Sequence, residues 1–245
     1  MSCCRVERSP KSSSILGRSE DGSINYQILT EERVDAALDV LINGFYPDEP
    51  VCSLLEVSKS AEAVKELNLL SANIAKDAVS VIAVDSRTGS VVGVSFNKLQ
   101  AKTAPGELPF FEKFKREVCK TEKAIAVIDF MAEIDSMVDI FDLFNTKQAA
   151  ELVFLSVLPT YRDRQIGVTL VTESLNLFTR ADVTVACMIG TSRYTQRIAN
   201  RLNFRNLAEY KYEKGQANDL VFQEIHEVHE KSILLAKSLL KKDST

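Results

Sequence analysis

The sequence predicts a single α/β domain that spans residues 24–245. Apolar runs of strand length, rich in Val and Ile, are interspersed with longer stretches whose apolar residues recur every three or four positions, as in mixed α/β folds. No internal repeat and no obvious linker interrupts the chain after residue 24. The 245 residues, 45% hydrophobic and 26% charged, are those of an ordinary globular protein large enough for one well-buried core.

The first half of the chain begins with a polar, serine-rich stretch over residues 1–23, where we expect a disordered tail. A helix is expected over residues 30–45, with Thr30 as its N-cap, and it must end before the two prolines of "YPDEP". A strand, a helix capped by Ser60 and a β-hairpin that turns near Gly89 are expected at residues 24–29, 60–77 and 79–99.

The second half alternates helical and strand patterns. Helices are expected at residues 108–119, 134–144, 166–180 and 192–204. Strands are expected at residues 151–158, 182–188, 205–212 and 218–225. The run "ELVFLSVL" is apolar over nearly its whole length, which favours a strand that is buried on both faces.

Charge and composition argue against several functional classes. The formal net charge of −4 argues against a nucleic-acid-binding protein, which is usually basic. No apolar run approaches the roughly 20 residues of a transmembrane helix, and the N-terminus lacks the apolar core of a signal peptide. The five cysteines have no CxxC spacing, which is typical of free thiols in a reducing compartment, so we expect a cytoplasmic protein.

Metal chemistry has little support in the sequence. The only two histidines, His226 and His229, lie in "EIHEVHEKS", a charged stretch with a helical pattern. Two ligands are too few for a zinc site, so a solvated helix face is the favoured interpretation and no metal is expected.

The segment "LSVLPTYRDRQIGVTLV" is a strand followed by a loop and a helix. The first amides of a helix have no partner inside the helix, and the helix dipole is positive there, so such a loop can bind an anion. The amides of residues 164–168 could surround a phosphate, and Arg162 and Arg164 would add positive charge. Taken alone, the segment also fits an ordinary strand-to-helix connection.

Three segments resemble the insect-type arylalkylamine N-acetyltransferases of the GNAT acyltransferase superfamily. In the loop, Arg162 and Gly167 match the first and last positions of the coenzyme pattern Q/R-x-x-G-x-G/A, and Gln165 stands at the middle glycine. "NGFYPDEPV" resembles the family's "FFxDEPL" segment, and "GTSRYTQRIANRLNF" resembles "SSHYSARVMEKLGF". The three segments occur in the family's order and cover most of residues 25–224.

The resemblance implies a GNAT-like domain: a mixed, twisted sheet flanked by helices, in which the fourth and fifth strands splay apart. Acetyl-CoA would be the co-substrate and a small-molecule amine the acceptor. The resemblance places the pantetheine beside main-chain groups of Leu155 and Val157. It places the phosphates in the loop formed by Arg162, Arg164, Gln165, Ile166, Gly167 and Val168. If the middle position needs a left-handed backbone, Gln165 costs about 1–2 kcal/mol there.

Acyl transfer to an amine requires a proton acceptor, and a carboxylate can serve this role. The resemblance points to Glu49, between Pro47 and Pro50, although a polar turn is the simpler interpretation of spacing alone. It also points to Thr191 and Thr195 as catalytic hydroxyls, which a spacing of four would place on one helix face. The alternatives are that Thr191 is only an N-cap and that Thr195 is only a surface residue.

Other interpretations stay open. Tyr194 is expected in the core, although contact with the coenzyme is an alternative. Asp139 and Asp142 could bind a dicationic amine if they face inward, but a solvated helix face is favoured. Because Gln165 departs from the coenzyme pattern, a GNAT-fold protein that binds acyl-CoA and has lost catalysis is the alternative to an active N-acyltransferase.

Overall fold

The computed structural model describes residues 15–212 and 229–240, whose strands form one mixed sheet. The strands are β1 (Ile15–Arg18), β2 (Ile24–Ile28), β3 (Val81–Asp85), β4 (Val91–Ala101), β5 (Gln148–Val157), β6 (Val185–Gly190), β7 (Arg205–Lys211) and β8 (Lys231–Ser238). The helices are α1 (Val34–Gly44), α2 (Pro50–Leu54), α3 (Ala61–Ala75), α4 (Phe110–Val118), α5 (Glu122–Asp135), α6 (Ile140–Leu143), α7 (Ile166–Arg180) and α8 (Arg193–Arg201). The strand order is β1-β2-β3-β4-β5-β6-β8-β7.

The sheet is antiparallel except where β5 runs parallel to β6. The parallel register joins only residues 150–152 of β5 to residues 186–188 of β6, and no further pair joins these strands in the described chain. Beyond this point β5 stays paired to β4 as far as Val157, and β6 stays paired to β8 as far as Gly190. Each strand is therefore held by its outer neighbour, and the expected splay is confirmed between β5 and β6.

Helices cover both faces of the sheet. Val94 and Phe96 of β4 belong to a cluster with buried residues of α1, α3 and α5. Val92, on the opposite face of the same strand, packs instead with Ile166 and Leu170 of α7. This alternation follows the two-residue period of a strand, and it places α1, α3 and α5 on one face and α7 on the other.

The predicted N-cap of the second helix is confirmed, and that of the first is wrong. Ser60 Oγ accepts a hydrogen bond of 3.2 Å from the amide of Ala63. Thr30 makes no side-chain cap, because a turn of 3-10 helix (Glu31–Arg33) precedes α1. In that turn the amide of Arg33 donates to the carbonyl of Thr30 at 3.0 Å, so the main chain satisfies the groups that a cap would bind.

The predicted disordered tail extended too far. Residues 15–18 form β1, which pairs with β2, and residues 1–14 lie outside the described residues. The turn between the two strands contains Asp21 and Gly22, and Gly22 has a φ of 68°. Asp-Gly is a strong hairpin signal, and it lies inside the stretch whose polarity suggested disorder.

The predicted helix over residues 134–144 is wrong, because α5 ends at Asp135 and α6 begins at Ile140. Asp139 Oδ1 accepts a 3.0 Å hydrogen bond from the amide of Asp142, which starts a new helix. Most of α5, which is capped by Thr121, had no counterpart among the predicted helices.

The C-terminal prediction missed β8. This strand lies between β6 and β7, and its residues 233–236 are buried, so the alternation that usually reveals a strand is absent. Residues 231 and 232 belong to it and not to a helix, which corrects part of the predicted helical stretch. The predicted strand at 218–225 lies outside the described residues. No helix in residues 15–212 and 229–240 is both long and apolar enough to cross a membrane.

Candidate active site

A cleft of about 540 Å³ opens where β5 and β6 separate. One of its walls is the second half of β5, and the other comprises the end of β6 and the start of α8. The cleft brings together nearly all of the sequence-predicted site residues: Glu49, Leu155, Val157, Arg162, Gln165, Ile166, Gly167, Val168, Thr191 and Thr195. Segments that are far apart in the chain therefore meet at one opening in the sheet.

The loop between β5 and α7 has an unusual backbone. Asp163 and Gln165 are both left-handed, with φ values of 61° and 59°. The position at which the GNAT pattern has its middle glycine therefore does adopt the conformation that glycine favours. A non-glycine residue held there costs about 1–2 kcal/mol.

The first residues of helix α7 line the cleft. Its first helical hydrogen bond runs from the amide of Thr169 to the carbonyl of Gln165, at 3.1 Å. The amides of residues 166–168 precede that bond and have no acceptor within the helix, and they lie at the positive end of the helix dipole. A Cβ on Gly167 would lie 3.2 Å from Ile198 Cδ1, so this glycine lets α7 approach α8 closely.

Glu49 combines a fixed orientation with one available oxygen. It is the N-cap of α2, and its Oε2 accepts a 2.7 Å hydrogen bond from the amide of Cys52. Its Oε1 is buried and has no hydrogen-bond partner in the part of the chain that the structure describes. Burial raises the pKa of the Cys52 thiol well above its usual value, so this cysteine stays a neutral thiol.

Thr191 and Thr195 both line the cleft, but they do not share a helix face. Thr191 precedes α8, whose N-cap is Ser192, so the prediction of one helical face is wrong. Ser192 Oγ accepts a 3.2 Å hydrogen bond from the amide of Thr195 and lies 3.0 Å from Thr195 Oγ1. Tyr212 donates a 2.7 Å hydrogen bond to the carbonyl of Thr191, which fixes the chain just before the helix.

The guanidinium of Arg162 is bound by a carboxylate and two main-chain carbonyls of the protein. Its Nη2 lies 2.7 Å from Asp48 Oδ2 and donates to the carbonyl of Gly44 at 3.0 Å. Its Nε donates to the carbonyl of Val157 at 3.2 Å. Arg162 thus joins the end of α1, the segment before Glu49 and the end of β5.

Solved structures with the same architecture include insect N-acetyltransferases. Arylalkylamine N-acetyltransferase 2 from Aedes aegypti superposes with a TM-score of 0.78 at 21% identity, covering 89% of this chain and 99% of that one. Mosquito arylalkylamine N-acetyltransferase like 5b gives 0.76 at 18% identity, covering 88% and 100%. The chain has the fold of the insect arylalkylamine N-acetyltransferases.

The Drosophila melanogaster polyamine N-acetyltransferase, which forms N-acetylagmatine, has this N-acetyltransferase fold too. It superposes with a TM-score of 0.71 at 15% identity, covering 88% of this chain and 99% of that one. No protein-family model matches the chain. The predicted GNAT-like α/β fold is thus confirmed. The sequence identities are too low to identify the acceptor, which only the residues of the cleft can indicate.

Arg164 is the one predicted site residue that does not line the cleft. Its Nη2 donates to Ser23 Oγ at 2.8 Å, and its guanidinium lies 5.3 Å from the centre of the Tyr161 ring. These contacts orient it toward the turn between β1 and β2. The expected contribution of Arg164 to the coenzyme loop therefore stays a prediction.

Glu151 lines the cleft and was missed by the sequence analysis. Its side chain is buried beside Gln100, whose Nε2 donates to Glu151 Oε2 at 2.8 Å. Burial raises the pKa of this carboxyl to about 7, although the hydrogen bond from Gln100 opposes the shift. The only signal for it in the sequence is one acidic residue at the start of the apolar run "ELVFLSVL".

Two further predictions need correction, and a third is confirmed. Tyr194 lines the cleft and is 56% exposed, so it is not a core residue. Asp139 and Asp142 are exposed, form ion pairs with Lys102 and do not line the cleft, so the favoured interpretation as solvated residues is confirmed. His229 lies just before β8 and its Nδ1 accepts from the amide of Arg193 at 3.3 Å, whereas His226 lies outside the described residues.

Proposed function

We propose that the protein transfers an acetyl group, or another acyl group, from acyl-CoA to a primary amine, and that the amine is an arylalkylamine. One observation carries the proposal: the cleft between β5 and β6 joins an amide-rich helix start to Glu49, whose Oε1 is buried and has no partner among the described residues. The first feature suits a pyrophosphate, and the second suits the removal of a proton.

The coenzyme would lie along β5. The edge of β5 that faces β6 has no strand beside it beyond Leu152 in the described chain. The main-chain groups of Leu155 and Val157 on this edge can therefore pair with a pantetheine. The amides of residues 166–168 would receive the phosphates at the helix start. The engagement of Arg162 with Asp48 supports a binding site that depends on amides more than on arginine charge.

The chemistry begins with the amine, which is protonated at neutral pH. Glu49 would take one proton from the ammonium, and the nitrogen lone pair would then attack the thioester carbon. The C–N bond forms, the C–S bond breaks with its electron pair leaving on the sulfur, and the nitrogen loses its second proton to solvent. Because Oε2 is held by the amide of Cys52, Oε1 is the oxygen that would accept the proton.

The acceptor would occupy the part of the cleft lined by apolar residues of α5. Val127, Phe130 and Met131 line the cleft, and they favour an acceptor with an apolar or aromatic body. Glu151 is buried, also lines the cleft and can bind a donor group of the acceptor. An arylalkylamine has both features.

The first test is a calorimetric titration with acetyl-CoA, followed by a thiol-release assay over a panel of arylalkylamines and polyamines. We expect saturable binding, and thiol release that is fastest with an amine carrying an aromatic ring. An absence of binding at millimolar acetyl-CoA would contradict the proposal. Thiol release with polyamines alone would support the acyl transfer but would show that the acceptor is a polyamine and not an arylalkylamine.

The alternative is a protein that binds acyl-CoA without transferring the acyl group. The left-handed Gln165 favours it, because this residue is strained at a position where the GNAT pattern has glycine. Binding of acetyl-CoA without thiol release across the whole panel would support this alternative.

Arg162 provides a prediction that separates positioning from coenzyme binding. We expect Arg162→Gln to lower kcat by about three- to fivefold, because loss of its bonds to Asp48 and Gly44 loosens the segment that places Glu49. The dissociation constant of acetyl-CoA should change by less than about twofold, since the phosphates bind mainly to amides.

Steady-state kinetics and calorimetry on the same preparations check this expectation. Arg180→Gln, an exposed arginine at the end of α7, is the matched control. In a Glu49→Gln background, Arg162→Gln should cause no further loss of kcat. A large loss of acetyl-CoA affinity with kcat intact would show instead that Arg162 binds phosphate.

A further inference from the structure

The loop between β5 and α7, residues 158–165, contains two left-handed residues that burial does not hold in place. Asp163 and Gln165 have φ values of 61° and 59°, and each such non-glycine residue disfavours the loop conformation by roughly tenfold. Residues 162–165 are exposed. In the part of the chain that the structure describes, the side chains of Asp163 and Gln165 form no hydrogen bond or ion pair. Contacts of the neighbouring residues therefore have to hold the loop.

Arg164, between the two left-handed residues, is attached to the turn that joins β1 and β2. Its Nη2 donates to Ser23 Oγ at 2.8 Å and lies 4.0 Å from Asp21 Oδ2. Hydrogen bonds from Ser19 and Ser23 hold the pKa of Asp21 well below its usual value, so this carboxylate carries its charge beside the arginine. The turn thus fixes the side chain of the residue in the middle of the loop.

Tyr161 attaches the start of the loop to the neighbouring turn, which joins β3 and β4. Its hydroxyl donates to Asp85 Oδ2 at 2.9 Å, while Asp85 Oδ1 accepts from the amides of Arg87 and Thr88. The guanidinium of Arg164 lies 5.3 Å from the centre of the Tyr161 ring, within the range of a cation–π contact. Arg164 and Tyr161, which we term the loop anchors, therefore support each other and join the loop to two turns of the sheet.

We propose that the loop anchors are positioning residues for the coenzyme: they hold the strained loop in the conformation in which the amides of residues 166–168 can receive the phosphates. The inference rests on the proposed binding of acyl-CoA. The anchors favour this binding conformation, whereas the left-handed Gln165 disfavours it. When an anchor is lost, the binding conformation is less populated, and the apparent affinity falls by the same factor.

Ser23→Ala tests the anchoring from outside the cleft, since it removes the bond to Arg164 and keeps the arginine charge. The dissociation constant of acetyl-CoA should rise by about three- to tenfold, the usual contribution of one hydrogen bond, while kcat at saturating acetyl-CoA stays the same. Ser19→Ala is the matched control, because Ser19 bonds to Asp21 and to the amide of Ile24 but not to Arg164. An unchanged or higher affinity in Ser23→Ala would overturn the proposal and fit an arginine that binds phosphate directly.

Combining Ser23→Ala with Gln165→Gly gives a readout that a merely structural role of the turn would not change. Glycine adopts the left-handed region freely, so the loop needs its anchors less. The loss of affinity caused by Ser23→Ala should therefore be smaller when Gln165→Gly is also present, because the binding conformation is then already well populated. Calorimetry on the four proteins measures both losses. A loss that is equal or larger in the presence of Gln165→Gly would contradict the proposal.

Hydrogen exchange of the free protein tests the anchors without any coenzyme. The amide of Thr169 donates to the carbonyl of Gln165 at 3.1 Å, so its exchange reports on the backbone of the loop. It should exchange about three- to tenfold faster in Ser23→Ala, and also in Tyr161→Phe, which removes the bond to Asp85. Exchange as slow as in wild type in both variants would overturn the proposal. If the wild type binds no acyl-CoA, the proposed function fails, while this measurement still decides whether the anchors hold the loop.

Discussion

Glu49→Gln is expected to lower kcat by about 10²–10⁴-fold, the usual contribution of a general base. Glutamine has nearly the shape of glutamate, and its side-chain oxygen can still accept from the amide of Cys52, so the start of α2 should stay in place. What disappears is the basicity of the buried Oε1, which has no other partner among the described residues. The dissociation constant of acetyl-CoA should hardly change, because the helix start that suits the phosphates lies elsewhere in the cleft.

The pH dependence of this variant provides an independent check. The free amine becomes abundant in solution as the pH rises toward the pKa of the ammonium, so the enzyme's own base matters less there. The ratio of wild-type to variant kcat should therefore fall with rising pH. A variant that keeps wild-type kcat at neutral pH, with chemistry shown to limit the rate, would contradict the assignment of Glu49.

The control for this variant should lie outside the cleft. Asp48 is the nearest carboxylate, but its ion pair with Arg162 makes Asp48→Asn a test of positioning and not a neutral change. Glu62→Gln is better matched, since Glu62 is exposed in the first turn of α3 and does not line the cleft. It should leave kcat unchanged, which isolates the chemistry of Glu49 from the general effect of removing a negative charge.

Elements whose pattern is local were predicted well. The hairpin of β3 and β4 follows from two β-branched runs around Gly89, and α3 follows from its periodicity and the cap by Ser60. Strand β8 could not be recognised in this way, because burial on both faces between β6 and β7 removes the alternation. Its partners are set by tertiary structure, which a local pattern does not contain.

In the cleft too, the features that depend on a local pattern could be predicted, and those that depend on tertiary contacts could not. The conformational demand at Gln165 follows from a local loop pattern, and the structure confirms the left-handed backbone. The contacts of Arg162 do not follow from any local pattern, since its partner Gly44 is 118 residues away. The burial of Glu151 depends on helices and strands from distant parts of the chain, so its raised pKa had no signature in the sequence beyond one charge in an apolar run.

Gln165→Gly is expected to strengthen acetyl-CoA binding by up to about tenfold, which corresponds to relief of roughly 1–2 kcal/mol of backbone strain. Gln165 is left-handed with a φ of 59°, and its side chain makes no cap hydrogen bond that would offset the strain. A strained residue in an exposed loop should leave this conformation part of the time, which lowers the fraction of protein that is ready to bind. The apparent affinity falls by that fraction, and glycine restores it because glycine adopts the left-handed region freely.

A series of substitutions at this position separates the backbone from the side chain. Asparagine tolerates the left-handed region better than most residues, so Gln165→Asn should fall between wild type and the glycine variant. Gln165→Ala removes the side chain without relieving the strain and should give no gain in affinity. Calorimetric dissociation constants for the four proteins check the order, with melting temperatures measured in parallel. Equal gains for alanine and glycine would show that the glutamine side chain, and not its left-handed backbone, obstructs the coenzyme.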